Sequence, residues 1–179
     1  MVRTAEVLSC SNLRGCNLLK VLVTIGSMVE KKFTRLFKII EELCNEGILD
    51  GNQVIAQVGF DNYKPVNFQS FDMIPDDEFK KIIIESDLII THAGTGTVTS
   101  CLKLGKKVIV FPRMTKFNEH YDDHQIELAS LFTKENYVLC AKNKEELIDH
   151  IKQIDKFQPK IFTSNNDKIN KIIIDFIEN

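Results

Sequence analysis

Residues 86–125 read S-D-L-I-I-T-H-A-G-T-G-T-V-T-S-C-L-K-L-G-K-K-V-I-V-F-P-R-M-T-K-F-N-E-H-Y-D-D-H-Q, and this stretch constrains the fold more than any other. Asp87 to Thr91 is a short apolar run with β-branched residues, as a buried strand requires, and it stops at His92-Ala93-Gly94-Thr95-Gly96. Helical spacing follows at once, with Val98, Cys101 and Leu102 at i, i+3 and i+4. Gly105 is placed to end that helix, and Val108 to Phe111 is a second strand broken by Pro112. The pattern is a βαβ unit with glycines at its first turn. Backbone N–H groups and the positive end of the helix dipole at Gly94 to Thr97 can hold a diphosphate, and Gly94 and Gly96 allow close approach. A tight turn with no ligand accounts for the glycines as well.

The flanking sequence repeats this alternation. Lys20 to Ile25 is a strand, and Gly26-Ser27 turns into a helix with Phe33, Leu36, Phe37, Ile40, Leu43 and Cys44 on one stripe, ended by Gly47. Strands are expected at Gln53 to Val58, Asn67 to Phe71 and Tyr137 to Cys140, and helices at Asp76 to Glu85, Asp122 to Phe132 and Lys144 to Ile154, the last capped by Asn143. Strands alternating with helices predict an α/β fold: a Rossmann-like, doubly wound parallel sheet spanning residues 20–160. Residues 1–19 show no clear period and are expected to be an N-terminal appendage. Residues 161–179 carry a last helix, with Ile169, Ile172, Ile173, Phe176 and Ile177 on one stripe, that either packs on its own sheet or docks on a partner.

Composition excludes several classes. The 179 residues hold 23 Lys and Arg against 25 Asp and Glu, so the long basic face of a nucleic-acid binder is not expected. No apolar run approaches the roughly 18 residues of a membrane span. Residues 1–19 lack the apolar core and cleavage site of a signal peptide. Five scattered cysteines, Cys10, Cys16, Cys44, Cys101 and Cys140, fit reduced thiols and a cytoplasmic setting. A dinucleotide oxidoreductase would carry G-x-G-x-x-G after the first strand, and Gly26-Ser27-Met28-Val29-Glu30 does not.

In such a sheet ligands bind outside the carboxyl ends of the strands, near the switch point. Three loops therefore share one rim: 26–30, 92–97 and 112–125. They bring backbone amides together with Arg113, Lys116, Glu119, His120, Asp122, Asp123, His124 and Gln125, a mixture suited to a ligand with an anionic head and a hydroxyl-rich body. Other readings stay open. His92 can be a satisfied histidine at a strand end, and Cys101 a core residue. The acidic run Glu119 to Asp123 can be a helix start. His120 and His124, at i and i+4 beside Glu119 and Asp123, can bind a metal if a third ligand joins them.

With S-D-L-I-I-T-H-A-G-T-G-T at 86–97 and K-F-N-E-H-Y-D-D-H-Q at 116–125, in order and at the right separation, the chain resembles the nucleotide-sugar-binding half of MurG-like GT-B glycosyltransferases. The similarity covers residues 20–154 and is closest to single-domain members. These are the catalytic subunit of the eukaryotic transferase that extends dolichol-linked GlcNAc, and bacterial subunits that build capsule and exopolysaccharide. The resemblance implies that Gly26 and Ser27 face the diphosphate, and that Gly94, Thr95 and Gly96 hold phosphate and ribose. It further implies that Asp122, His124 and Gln125 match a D-x-x-Q segment whose glutamine binds sugar hydroxyls. From the rim, Arg113 or Lys116 is expected to aid the departing diphosphate, and Arg113 and His120 are counted with the donor-binding residues. Two departures stand out. Ser100 occupies the position of the ribose-binding glutamate of two-domain relatives, and the first loop keeps only Gly26 of a glycine-rich segment.

The activity so implied is transfer of a hexose or N-acetylhexosamine from UDP-galactose or UDP-GlcNAc, with inversion and without a metal or cofactor, to a lipid-linked saccharide acceptor. The capsule branch implies a β-1,4 linkage. His92 and Glu119 are the local candidates for the catalytic base. A membrane-anchored glycosyltransferase subunit is the expected partner, supplying the acceptor site and holding the chain at the inner face of the plasma membrane. The alternative is a non-catalytic nucleotide-sugar-binding subunit whose partner performs the chemistry.

Overall fold

The computed structural model describes residues 19–28 and 30–163. The expected N-terminal appendage, apart from Leu19, and the stripe of the last helix lie outside the described residues. Six strands, β1 (Val21–Thr24), β2 (Val54–Gln57), β3 (Gln69–Phe71), β4 (Leu88–Thr91), β5 (Lys107–Val110) and β6 (Leu139–Cys140), form one sheet in the order β3-β2-β1-β4-β5-β6, every neighbouring pair parallel. Four α-helices lie in the connections between them, α1 (Thr34–Asn45), α2 (Asp76–Glu85), α3 (Thr95–Lys103) and α4 (His124–Lys134), and α5 (Lys144–Gln153) follows β6. The strand order reverses between β1 and β4, as in a doubly wound Rossmann-like fold.

Period-two alternation sorts the core into two layers. Val21, Val23, Leu88, Ile90 and Ile109 face one side, where Leu36, Phe37, Ile40 and Leu43 of α1 and Leu147 and Ile151 of α5 cover them. Leu22, Ile89, Val108 and Val110 face the other side, under Ile83 of α2, Val98, Cys101 and Leu102 of α3, and Ala129 and Phe132 of α4. Both faces are covered, so the central strands read as continuous apolar runs.

Several boundaries differ from expectation for local reasons. The helix after Gly26-Ser27 starts only at Thr34, and its capping carboxylate comes from another loop: Asp61 accepts from the Phe33 N–H at 2.5 Å and from the Thr34 hydroxyl at 2.8 Å. Helix α4 starts at His124 and not at Asp122. Asp122 accepts from the His124 N–H at 3.1 Å and Asp123 from the Thr115 N–H at 3.0 Å, so both carboxylates shape the turn before the helix. Strand β6 is shorter than Tyr137 to Cys140 because the Tyr137 N–H bonds back to the Phe132 carbonyl, beyond Asn136 in the left-handed region (φ 58°).

Candidate functional site

The carboxyl end of the sheet closes on a polar rung. Gln57, Thr24 and Thr91 lie side by side in register and all three are buried. The Thr24 hydroxyl donates to Gln57 Oε1 at 2.7 Å, and Thr91 Oγ1 lies 3.3 Å from His92 Nδ1. Sequence reasoning passed over this rung. Its signal was a polar residue ending each of three apolar runs.

Beyond the rung, the His92 ring is seated between the loops after β1 and β4. A Cβ placed on Gly26 would stand 2.6 Å from its Cε1, and one on Gly94 would stand 2.2 Å from its Nε2. The two glycines thus make room for an imidazole, where the sequence reading gave their openness to phosphate. Gly26 also needs its left-handed backbone, with φ 70°. Burial, the Arg113 guanidinium and His120 lower the His92 pKa from 6.5 to about 4, so the ring is neutral near pH 7 and weakly basic.

The start of α3 faces outward from this seat. Gly94 is in an extended conformation, no side chain caps the helix, and Thr95 and Gly96 are exposed. A Cβ on Gly96 would meet nothing within 4 Å. First-turn amides without an internal partner form an anion site at the positive end of a helix. Beside it, α2 and α3 enclose a cleft of about 520 Å³ lined by Asp76, Phe79, Lys80, Gly96, Thr97, Ser100 and Lys103, a size in the small-molecule range of about 300–1,000 Å³. Ser100 stands in it, exposed.

Arg113 and Glu119 depart from the roles expected of them. Arg113 is fully buried, and its guanidinium is engaged by backbone carbonyls, so it presents no cation at the surface for a diphosphate. Burial lowers its pKa while Glu119 and Asp61 support its charge. Glu119 is buried as well and forms a two-pronged ion pair with Arg35, Nε to Oε1 and Nη2 to Oε2 both at 2.8 Å, while Oε2 accepts from the Met114 N–H at 3.1 Å. A carboxylate so occupied is not placed to take a proton from an acceptor hydroxyl. Arg35 and Asp61 had no motif to mark them.

Gln125 is buried at the first turn of α4, its Oε1 accepting from the Arg113 N–H at 3.1 Å. Asp122 and His124 are exposed, while His120 is half-buried with Nδ1 2.9 Å from Asp122 Oδ1. His124 instead faces Glu127 at 3.9 Å. No group of three or more His, Cys, Asp or Glu side chains placed for a metal occurs among the described residues. Burial pushes the Cys101 thiol up to about 12, in keeping with a core position. No helix among the described residues is long and apolar enough to cross a membrane.

Comparison with known proteins shows the family to which this fold belongs. Residues 20–178 match the glycosyltransferase family 28 C-terminal domain. Sequence relatives include proteins named UDP-N-acetylglucosamine transferase subunit ALG13. The Candida albicans protein is 45% identical over 65 residues, 36% of this chain and 21% of the relative. The Cryptococcus neoformans protein is 28% identical over 102 residues, 55% of this chain and 49% of the relative. The chain thus spans about half or less of the length of these relatives. Among solved structures, the solution structure of ALG13 superposes with a TM-score of 0.56 at 20% identity, over 91% of this chain and 98% of that one. The calicheamicin glycosyltransferase CalG4 gives 0.53 at 13% identity, over 74% of this chain and 34% of that one. At these identities the superpositions speak for the fold, a GT-B half-domain. The motif order, the sheet topology and a match over residues 20–178 make this chain a member of the glycosyltransferase family 28 C-terminal domain family.

Proposed function

We infer that this chain is the donor-binding subunit of a glycosyltransferase that uses UDP-N-acetylglucosamine. The observation that carries the reading is the uncapped, exposed start of α3 at the switch point of the sheet. As the glycosidic bond breaks, negative charge grows on the departing diphosphate, and fixed amides with the helix dipole stabilise that charge without a divalent ion. Lys116 is the exposed cation in the loop after β5. The relatives named above are N-acetylglucosamine transferase subunits, which favours that sugar over galactose. They lend no support to a capsule or exopolysaccharide setting or to a β-1,4 linkage.

A second reading concerns the catalytic base, and one observation favours it. His92 is weakly basic and Glu119 is held by Arg35, so neither local candidate is poised to deprotonate an acceptor. In this reading a membrane-anchored partner subunit supplies the base and the site for a lipid-linked saccharide, and the chain acts at the cytoplasmic membrane face through that partner. Co-expression with a membrane glycosyltransferase subunit, then assay with UDP-N-acetylglucosamine and UDP-galactose on lipid-linked acceptors, tests both readings. Transfer of N-acetylglucosamine only by the pair is expected. Transfer of galactose in preference overturns the donor assignment, and transfer by the chain alone overturns the partner's base.

A further inference from the structure

Arg113 heads the fully buried side chains by volume, and it is charged. Its guanidinium lies 4.8 Å over the Phe33 ring. Nη1 donates to the Lys31 carbonyl at 2.8 Å and the Glu119 carbonyl at 3.3 Å, and Nη2 to the Ile25 carbonyl at 3.0 Å. Two of these acceptors belong to the loop after β1 and one to the loop after β5. Nε is buried with no partner among the described residues. A buried donor left unpaired is costly, and an apolar side chain could fill this volume, so stability alone is a poor reason for an arginine here.

The same residue orients Gln125. A backbone N–H can only donate, so the Arg113 N–H fixes the amide oxygen of Gln125 against itself. The amide nitrogen makes no hydrogen bond within the described residues and is the part left for a ligand.

We propose that Arg113 is the positioning residue of the rim. Its guanidinium locks the loop after β1 to the loop after β5, and its backbone N–H turns Gln125 so that the donor sugar meets an N–H group and not a carbonyl oxygen. The lock needs the planar fork of arginine, because a lysine ammonium is a point donor that cannot span three carbonyls in two loops. This deepens, and rests on, the reading of the rim as the donor site.

The test uses the full chain as wild type, R113K, R113M and Q125E. Amide hydrogen exchange is measured without ligand, and UDP and UDP-N-acetylglucosamine are titrated at several ionic strengths. Exchange in residues 26–28 and 114–119 should accelerate about tenfold or more in both Arg113 variants while α5 is unchanged. Affinity for the sugar nucleotide should fall in R113K as in R113M, with the salt dependence of UDP binding unaltered, because Arg113 does not touch phosphate. Q125E should keep the wild-type exchange of α5, showing that it is folded, yet lose, about severalfold, the preference for UDP-N-acetylglucosamine over UDP. Full rescue by R113K together with a flattened salt dependence in R113M would make Arg113 a direct phosphate ligand and overturn the proposal. Unchanged exchange, or an intact preference in Q125E, would overturn it too. If R113M does not fold, R113K carries the exchange comparison. If the wild type binds neither ligand, the donor reading fails while the exchange result still decides the lock.

Discussion

His92 is neutral in the folded chain near pH 7 because its seat is largely buried and carries the charges of Arg113 and His120 nearby. Well above pH 6.5 the ring is neutral folded or unfolded and contributes no pH dependence. As pH falls from about 6.5 towards 4, the unfolded chain binds a proton that the folded chain refuses, so stability is lost with falling pH across that window. The full loss is about 3 kcal/mol at about 1.4 kcal/mol per pKa unit. Urea denaturation at a series of pH values should show this slope in the wild type and a shallower one in His92→Gln. Gly94 tests the same seat from its other side. Its φ of −76° suits any residue, so an alanine there is opposed only by the ring, 2.2 Å from the new Cβ. Gly94→Ala should destabilise by about 1–3 kcal/mol, and Gly94→Ala in a His92→Ala background should be much milder, with denaturation of the four proteins measuring the coupling.

At the level of elements, α1 begins on a carboxylate borrowed from the turn after β2. Asp61 accepts from both Phe33 and Thr34, and no side chain near the helix start replaces it. Asp61→Ala should cost about 1–3 kcal/mol, and thermal unfolding should show the loss. Lys144, bridging to Glu42 and Glu46 between α5 and α1, is the contrast: its ion pairs lie at the surface, and Lys144→Ala should leave the thermal unfolding midpoint nearly unchanged. These elements also mark how far the sequence could be read. The buried strands and α2 stood out because an apolar run and a helical stripe are local patterns. The start of α1 did not, because its cap lies 27 to 28 residues away in the chain. Arg113 and Glu119 looked like site residues for the same reason. In a polar loop a cation suggests an anion ligand and a carboxylate suggests a base. The partners that bury them, Ile25, Lys31 and Arg35, lie 82 to 88 residues away and leave no trace in local spacing.

For the molecule as a whole, one parallel sheet brings three loops to a common rim, and the arrangement separates two tasks. Buried charges, Asp61, Arg113 and Glu119 paired with Arg35, tie the loops to one another. The open start of α3 and the cleft beside it are left to bind. The measurement that bears most directly on this division is an NMR titration of the full chain with UDP in excess chelator, followed residue by residue at the backbone amides. Binding without metal is predicted, with the largest shifts at Thr95, Gly96 and Thr97 and the Arg113 side-chain signals little changed. Binding that requires a divalent ion, or shifts centred on His120 and His124 with α3 silent, would contradict it.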